Sequence, residues 1–500
     1  MSKGMMSRRQ FCALGMAGAL AAITGCAGAA GNGGSASSGS ESKDSAANDE
    51  NKEAAAKARA IGDNNVNFGQ EVDILIVGAG ISGMLASIDP ASAGLDVLIA
   101  EQNSTYGGDA IYSAACQMCS TAKLTKEERP DKYASPEEIR EKFAPYYEDN
   151  EAGLDRTVLL QEWTGKFIDK MHYDWGYEFQ PLRESPYHQA FFPKDGLCTM
   201  KSEFDLINEK VEEAGVRYLF QTTFQTLIVD EDGTVAGARF TDKDGNIVDI
   251  AAKAVVLATG GYVSNQEWMV KYAPEYAYIA NIISGRKGDG IAAGVAVGGT
   301  LSGMGPTSNL NPRFEAGHML GTFYPLLGLL PNGKRFYCET AVHNAATGAL
   351  AAGYYEWYSV WDSVAQDGID QEVILHAGDA VKTCDTIEEL AEMTGMPFDK
   401  LQETFEQWKT ICENQEDPDF KKTLFLQELK PPYYFLRNYP VRYKSLGGLT
   451  VSDRMEVLDA DGNPIPNLYA CGCTAGTEDI TPAAGSGLLL GTTLAADYAK

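Results

Sequence analysis

The stretch from Val72 to Glu101 constrains this chain more than any other. Val72-Asp73-Ile74-Leu75-Ile76-Val77 is apolar almost without interruption and reads as a parallel strand buried on both faces. It runs into Gly78-Ala79-Gly80-Ile81-Ser82-Gly83, then a helical stretch, Gly94 and a second strand, Val97-Leu98-Ile99-Ala100, which ends at Glu101. Strand, glycine turn, helix, strand and acid in that order form the arrangement of a dinucleotide site. Gly78 permits the tight turn, Gly80 lets backbone amides approach a pyrophosphate, and Gly83 lets helix and strand pack closely. Glu101 stands where a carboxylate accepts hydrogen bonds from a ribose. Pro90, inside the helix, is expected to kink or shorten it.

Later segments return to the same place. Tyr106-Gly107-Gly108-Asp109-Ala110 follows the acid. Ala254-Val255-Val256-Leu257-Ala258-Thr259-Gly260-Gly261 is another buried strand ending in small residues, and Asn467-Leu468-Tyr469-Ala470-Cys471-Gly472 is a third. Repeated returns suit a long flavin nucleotide better than NAD.

With these residues in place, the chain resembles the fumarate reductase/succinate dehydrogenase flavoprotein superfamily, in its soluble, exported, single-subunit branch, over about residues 70–500. The resemblance rests on Gly78–Gly83 with Glu101, Gly107-Gly108, Ala258–Gly261, Gly288-Asp289-Gly290, Gly333-Lys334-Arg335-Phe336, Gly447-Gly448-Leu449 and Leu468–Gly472. It implies an α/β fold: a Rossmann-like FAD-binding domain (GR2-type) with an inserted α+β capping domain that closes over substrate. FAD contacts are expected from Gly78, Gly80, Ser82, Gly83, Glu101, Gly107, Gly108, Asp109, Ala110, Ala115, Ala258, Thr259, Gly260, Gly261, Asp289, Gly472, Cys473, Leu488 and Leu489. The C-terminal helix is expected to begin near Gly485–Leu488 with its amides facing the flavin. No histidine for covalent attachment occurs in Gly107–Ala115, so the FAD is expected to be noncovalent.

Such enzymes deliver a hydride from flavin N5 to an activated double bond, and an acid protonates the neighbouring carbon. The resemblance places the proton donor at His343, where fumarate reducers are expected to carry an arginine; Tyr112, Tyr324 and Tyr337 are the alternatives. Lys444 stands where they carry a substrate-binding histidine, with Arg442 nearby, and Ala483 aligns with their carboxylate-clamping arginine. Without that bidentate contact a dicarboxylate fits poorly, and an uncharged or singly charged enone or enoate fits better. Cys473 replaces the family's glutamate at the ribityl chain. Arg335 is read as stabilising the turn it lies in. Cys116-Gln117-Met118-Cys119 is read as packing, with a disulfide as the alternative. The scattered histidines suggest no metal site.

The organisation expected is a signal at 1–26, a tether at 27–68, an FAD-binding part at 69–304 with a helical insertion at about 121–205, a capping domain at 305–438 and a second FAD-binding part at 439–500. Helices are expected over Ala345–Gly353, Thr386–Met393 and Asp399–Glu413, and Ser135-Pro136-Glu137-Glu138 is a capping-box start. Arg8-Arg9 before a short apolar run resembles a twin-arginine export signal. Ile23-Thr24-Gly25-Cys26 resembles a lipobox, with Cys26 taking the lipid. Residues 27–68 hold almost no large apolar side chain to offset ordering entropy.

The net charge of −28 repels phosphate backbones and argues against nucleic acid as a partner. The expected product of this reading is a membrane-tethered, exported FAD enzyme that reduces a small unsaturated substrate in anaerobic respiration. Its electrons would come from an external donor such as a membrane cytochrome or a flavin-bearing protein. A dehydrogenase running the chemistry backwards, as in similar ketosteroid enzymes, and a non-catalytic flavin carrier are the rival readings.

Overall fold

A computed structural model describes residues 59–60, 65–112, 117–147, 150–180, 190–194, 200–281, 283–305, 310–312, 321, 324–341, 344–368, 377–477 and 479–499. Strand β1 (Phe68–Val77) is the apolar run, with Ile74, Leu75 and Ile76 fully buried. Helix α1 (Ile81–Ser92) follows the glycine turn, and β2 (Val97–Ala100) returns parallel to β1, pairing Ile74 with Val97 and Val77 with Ala100. Helix α1 runs through Pro90 and ends two residues later as the chain turns, with the Leu95 amide on the Pro90 carbonyl.

The expected helical insertion, about 121–205, holds α2 (Pro136–Phe143) and α3 (Glu151–Asp169), and α4 (Lys201–Glu213) begins at its end and runs past it. The α2 capping box is formed: Glu138 N–H donates to Ser135 Oγ at 3.2 Å, and Ser135 N–H donates to Glu138 Oε2 at 2.7 Å. Strand β3 (Arg217–Leu219) adds parallel to β2. A meander of β4 (Thr223–Val229), β5 (Val235–Thr241) and β6 (Ile247–Leu257) then brings the chain back beside β1, with β6 parallel to it.

After α5 (Gln266–Tyr272) and α6 (Asp289–Ala296) come β7 (Leu301–Gly305) and β8 (Leu310–Pro312), which lead into a second, four-stranded sheet. That sheet is antiparallel, built from β9 (Leu327–Leu329), β10 (Trp357–Trp361), β11 (Lys382–Cys384) and β12 (Tyr433–Asn438), in the order β9-β10-β12-β11. Helix α7 (Asn344–Ala351) lies between β9 and β10. Helices α8 (Ile387–Thr394) and α9 (Phe398–Asn414) bury Leu390, Leu401 and Trp408 with this sheet. These three helices match their expected positions to within two residues. The chain leaves along β13 (Pro440–Arg442), antiparallel to β8, and β14 (Leu446–Leu449), antiparallel to β7.

Strand β15 (Glu456–Leu458) pairs with β16 (Pro464–Ala470), and β16 docks parallel to β6; with the two-residue strand Arg59–Ala60, antiparallel to β4, this completes a nine-stranded sheet. The closing helix α10 spans Ile480–Tyr498, so it begins earlier than its sequence suggests. Pro482 falls in the first turn, where a missing N–H costs nothing, and does not block the helix. Helix α10 lies against α1 through small residues: a Cβ on Gly487 would fall 2.3 Å from the Ser82 carbonyl oxygen, and one on Gly491 3.1 Å from that of Leu85. Among the described residues no helix is long and apolar enough to cross a membrane.

A buried charge network holds the second sheet to α9. Arg335 Nε and Nη2 donate to the two carboxylate oxygens of Glu339 at 2.7 and 2.8 Å, and Nη2 reaches Asp417 at 2.8 Å. Lys422 Nζ lies 3.3 Å from Glu339, and Trp408 stacks under both cations. Arg335 thus fixes its turn, as its position suggested. Burial alone would raise the Glu339 pKa, but Lys422 and Arg335 outweigh it and the carboxyl titrates below its ordinary value.

Two outcomes follow. Gly487→Ala improves helix propensity by about 1 kcal/mol yet should lower the urea midpoint, because overpacking costs about 1–3 kcal/mol. An unchanged or raised midpoint would refute the close α1–α10 approach. For Glu339 the folded pKa is depressed, so its contribution is present above the unfolded value of about 4.3 and lost as pH falls further. Glu339→Gln should lose about 3–5 kcal/mol at pH 7 and flatten the acid limb of stability below pH ~4.3, read by denaturant titration across pH.

Candidate active site

The strand ends fall in one line. Val77 pairs with Ala100 on one side and Leu257 on the other, and Leu257 pairs with Ala470. The turns after β1, β2, β6 and β16 therefore leave the same edge of the sheet, where α/β proteins bind ligands.

Each turn is held by its neighbours. The Gly78 N–H donates to the Ala100 carbonyl at 2.8 Å, and at φ +111° a Cβ there would come within 2.4 Å of the Ala258 oxygen. A Cβ on Gly83 would meet the Gly78 oxygen at 2.1 Å. Gly80 differs: a Cβ there would touch nothing within 4 Å, so the space in front of the helix is open. Gly80 is also the N-cap of α1, without a side-chain cap and without an acid in the first turn. The first amides of α1 lack intrahelical partners and are available to an anion. Ser82 packs against Gly472, whose own Cβ would fall 2.4 Å from Ser82 Oγ.

Glu101 is buried and fixed. Its Oε2 accepts from Ala79 N–H at 2.8 Å, and Oε1 accepts from the backbone and side-chain amides of Asn103, each at 2.8 Å. Gly107 N–H donates to Ala79 O at 2.9 Å, and Gly108 lies against Gly80. Asp109 follows, and Ala110 opens a short turn of helix. At the third turn the Ala258 N–H bonds Val77 O, Thr474 Oγ1 donates to the Gly260 carbonyl at 3.2 Å, and Thr259 Oγ1 lies 3.4 Å from Thr474 Oγ1. Ser445 Oγ accepts from Tyr262 N–H at 2.8 Å and fills the space beside Gly261. Helix α6 begins at this turn, with Gly290 against Thr259 and the Asp289 side chain exposed. The Gly472 N–H donates to Ser486 Oγ at 2.9 Å, and burial pushes the Cys473 thiol up to about 11, so it is neutral at pH 7.

Leu488 and Leu489 do not stand at the start of the helix. They lie more than two turns inside α10, where amides are used by the helical ladder, and their side chains are in the core. The helix mouth is at Asp479-Ile480-Thr481 instead. His343, Ala115 and Cys26 lie outside the described residues.

At the mouth of α10, Lys444 is a buried cation, its side chain 9% exposed, with Nζ 2.5 Å from Oδ1 of Asp479, the N-cap of that helix. It is also a charged neighbour of the Cys473 thiol. Arg442 is buried as well but engages other groups: Nη1 donates to Ala277 O at 2.5 Å and Nη2 to Gln266 Oε1 at 3.0 Å, while Nε has no hydrogen-bond partner. Its guanidinium ties β13 to α5. Ala483 is buried in the first turns of α10.

Sequence reading missed Asp479, Ser445, Ser486 and Arg286. The last forms an ion pair with Asp109, Nε to Oδ2 at 2.6 Å. Its signal was available in Gly285-Arg286-Lys287, directly before the Gly288-Asp289-Gly290 motif.

The open space before Gly80, the uncapped helix and the fixed Glu101 fit a dinucleotide. Glu101→Ala should weaken FAD binding by roughly 10- to 100-fold, measured by flavin fluorescence on the apoprotein, because a hydrogen bond to a charged group is lost with it. Unchanged affinity would show that the ribose lies elsewhere.

Comparison with known proteins agrees with this geometry. A family model described as FAD binding domain matches residues 73–488. A urocanate reductase from Eggerthella lenta is 27% identical over 453 residues, which is 83% of this chain and 72% of that protein. The open conformation of a flavocytochrome c3 fumarate reductase superposes with a TM-score of 0.67 at 21% identity, covering 92% of this chain and 81% of that one. The 3-ketosteroid-Δ4-(5α)-dehydrogenase of Rhodococcus jostii, in complex with 4-androstene-3,17-dione, gives 0.67 at 22% identity, covering 87% and 98%. The Rossmann-like fold is common to all of them. The chain belongs to the FAD binding domain family, within the fumarate reductase/succinate dehydrogenase flavoprotein superfamily, and is an FAD-dependent oxidoreductase.

Proposed function

We propose that this protein reduces an activated carbon–carbon double bond in an uncharged or singly charged enoate or enone. Bound FAD, once reduced, supplies the hydride. The observation that carries the substrate class is the pair Lys444–Asp479 at the mouth of α10, with Ala483 where a clamping arginine is expected. One buried ammonium, half-committed to a carboxylate that is itself 61% exposed, can polarise one carbonyl or hold one carboxylate. It offers no bidentate fork for a second carboxylate. A reductase among the relatives supports the direction of the reaction.

The second sheet, joined to the first through β7–β14 and β8–β13, is proposed as the cap that excludes water over the flavin. The twin arginines and Cys26 support export and lipid anchoring at the outer face of the membrane, with electrons arriving from a membrane cytochrome or a flavin-bearing protein. Sequence position alone supports His343 as proton donor.

The test is anaerobic. The purified protein is reduced chemically and mixed with enoates, enones, dicarboxylates and steroids while flavin absorbance is followed. Reoxidation by a singly charged or neutral acceptor, and slow or absent reoxidation by fumarate, is expected. Lys444→Met should lower kcat/KM for that acceptor at least 100-fold with FAD content unchanged. His343→Phe, made in parallel, should lose roughly 10²- to 10⁴-fold in turnover. Efficient fumarate reduction would overturn the substrate class, and reduction of the oxidised flavin by a saturated ketone would overturn the direction.

A further inference from the structure

Arg286 lies in the loop between α5 and α6, its carbonyl accepting from Ser264 N–H at 2.8 Å, and its side chain is only 11% exposed. It runs between two cofactor turns that lack side chains at the points of passage. A Cβ on Gly260 would fall 3.0 Å from Arg286 Cδ, and one on Gly108 3.7 Å from Nη2. Nε is fixed by Asp109 at 2.6 Å. Among the described residues the two Nη nitrogens have no hydrogen-bond partner.

Its position along the cofactor can be bracketed. Arg286 interacts electrostatically with Glu101, at the ribose end, and with Cys473, at the position the family uses for the ribityl chain. Between ribose and ribityl lies the pyrophosphate. The Gly108 turn that Arg286 touches is itself packed on Gly80, at the mouth of α1. That mouth supplies only partial positive charge, while Glu101 and Asp109 bring two carboxylates close to a dianion, on a chain of net charge −28. Lys444 is engaged by Asp479, whereas Arg286, among the described residues, uses only its Nε.

We propose that Arg286 is the clamp for the FAD pyrophosphate, its Nη fork donating to the phosphate oxygens while Asp109 holds Nε and orients the plane. The inference rests on FAD as cofactor and concerns binding, not the chemical step. A guanidinium fork matches phosphate geometry in a way an ammonium does not.

The experiment uses the full chain stripped of flavin, with folding checked by circular dichroism. FAD affinity is read by fluorescence quenching, and ADP and adenosine are used as competitors with and without a diphosphate. R286Q should raise the Kd for FAD roughly 10- to 100-fold and weaken ADP by a similar factor, leaving adenosine unaffected. R286K, which keeps the charge and loses the fork, should fall between. The midpoint potential of flavin bound to R286Q should match the wild type. Both variants binding FAD and ADP like wild type would overturn the proposal. So would unchanged affinity with a shifted potential, which would place Arg286 against the isoalloxazine ring. A wild-type protein that binds no FAD would sink the cofactor reading itself, which is a different result.

Discussion

Registration of parallel strands is the constraint from which the rest follows. Because Val77, Ala100, Leu257 and Ala470 end in line, turns drawn from positions hundreds of residues apart leave the sheet at one edge. A slip of one residue in any of these strands would turn its buried side chains outward and carry its turn away from the others. The apolar content of the strands therefore does two things at once. It drives burial of the sheet under α1, and it fixes where Gly78, Glu101, Gly260 and Gly472 meet. The close contacts at Gly78, Gly83 and Gly487 are consequences of this convergence, since turns and helices so placed have no room for side chains between them.

Electrostatics then distinguishes the two ends of the site. A strongly acidic protein has to make a local exception in order to hold an anionic cofactor. The proposed exception is built from the uncapped mouth of α1 and the half-buried Arg286, both of which lie against Gly108. At the other end, Lys444 is the buried cation and Asp479 tempers it. The carboxylate is mostly exposed, so its hold on the lysine is screened by water.

Much of the cofactor cradle was legible in the sequence because its signals are local. The β1–α1–β2 unit carries strand, glycines and acid within a short span, and the α2 capping box lies within four residues. What was not legible is tertiary. Arg286 acquires meaning only because Gly108 and Gly260, distant in the chain, flank it in space. Arg442 looked like a companion of Lys444 from its spacing, but the fold turns its guanidinium toward Ala277 and Gln266. The start of α10 was misplaced for a different reason. Gly485 and Gly487 read as a turn in isolation, yet in the fold they lie inside the helix where neighbouring helices leave no room for a side chain, so Leu488 and Leu489 sit deep in it and not at its mouth.

The displacement of that helix mouth bears on substrate choice. With α10 starting at Ile480, its positive end and its N-cap lie beside Lys444, away from the leucines. Helix dipole and ammonium then act on the same point and favour a single developing or resident negative charge there. A dicarboxylate would need a second anchor, and the buried cations of the second sheet cannot provide it. Arg335 and Lys422 are committed to Glu339 and Asp417, under Trp408 and away from solvent. Removing either from that network would leave an uncompensated buried carboxylate, which costs more than a new substrate contact would return. The charges of the second sheet thus hold it together, and under the proposed function selectivity falls to one lysine, one aspartate and the end of a helix.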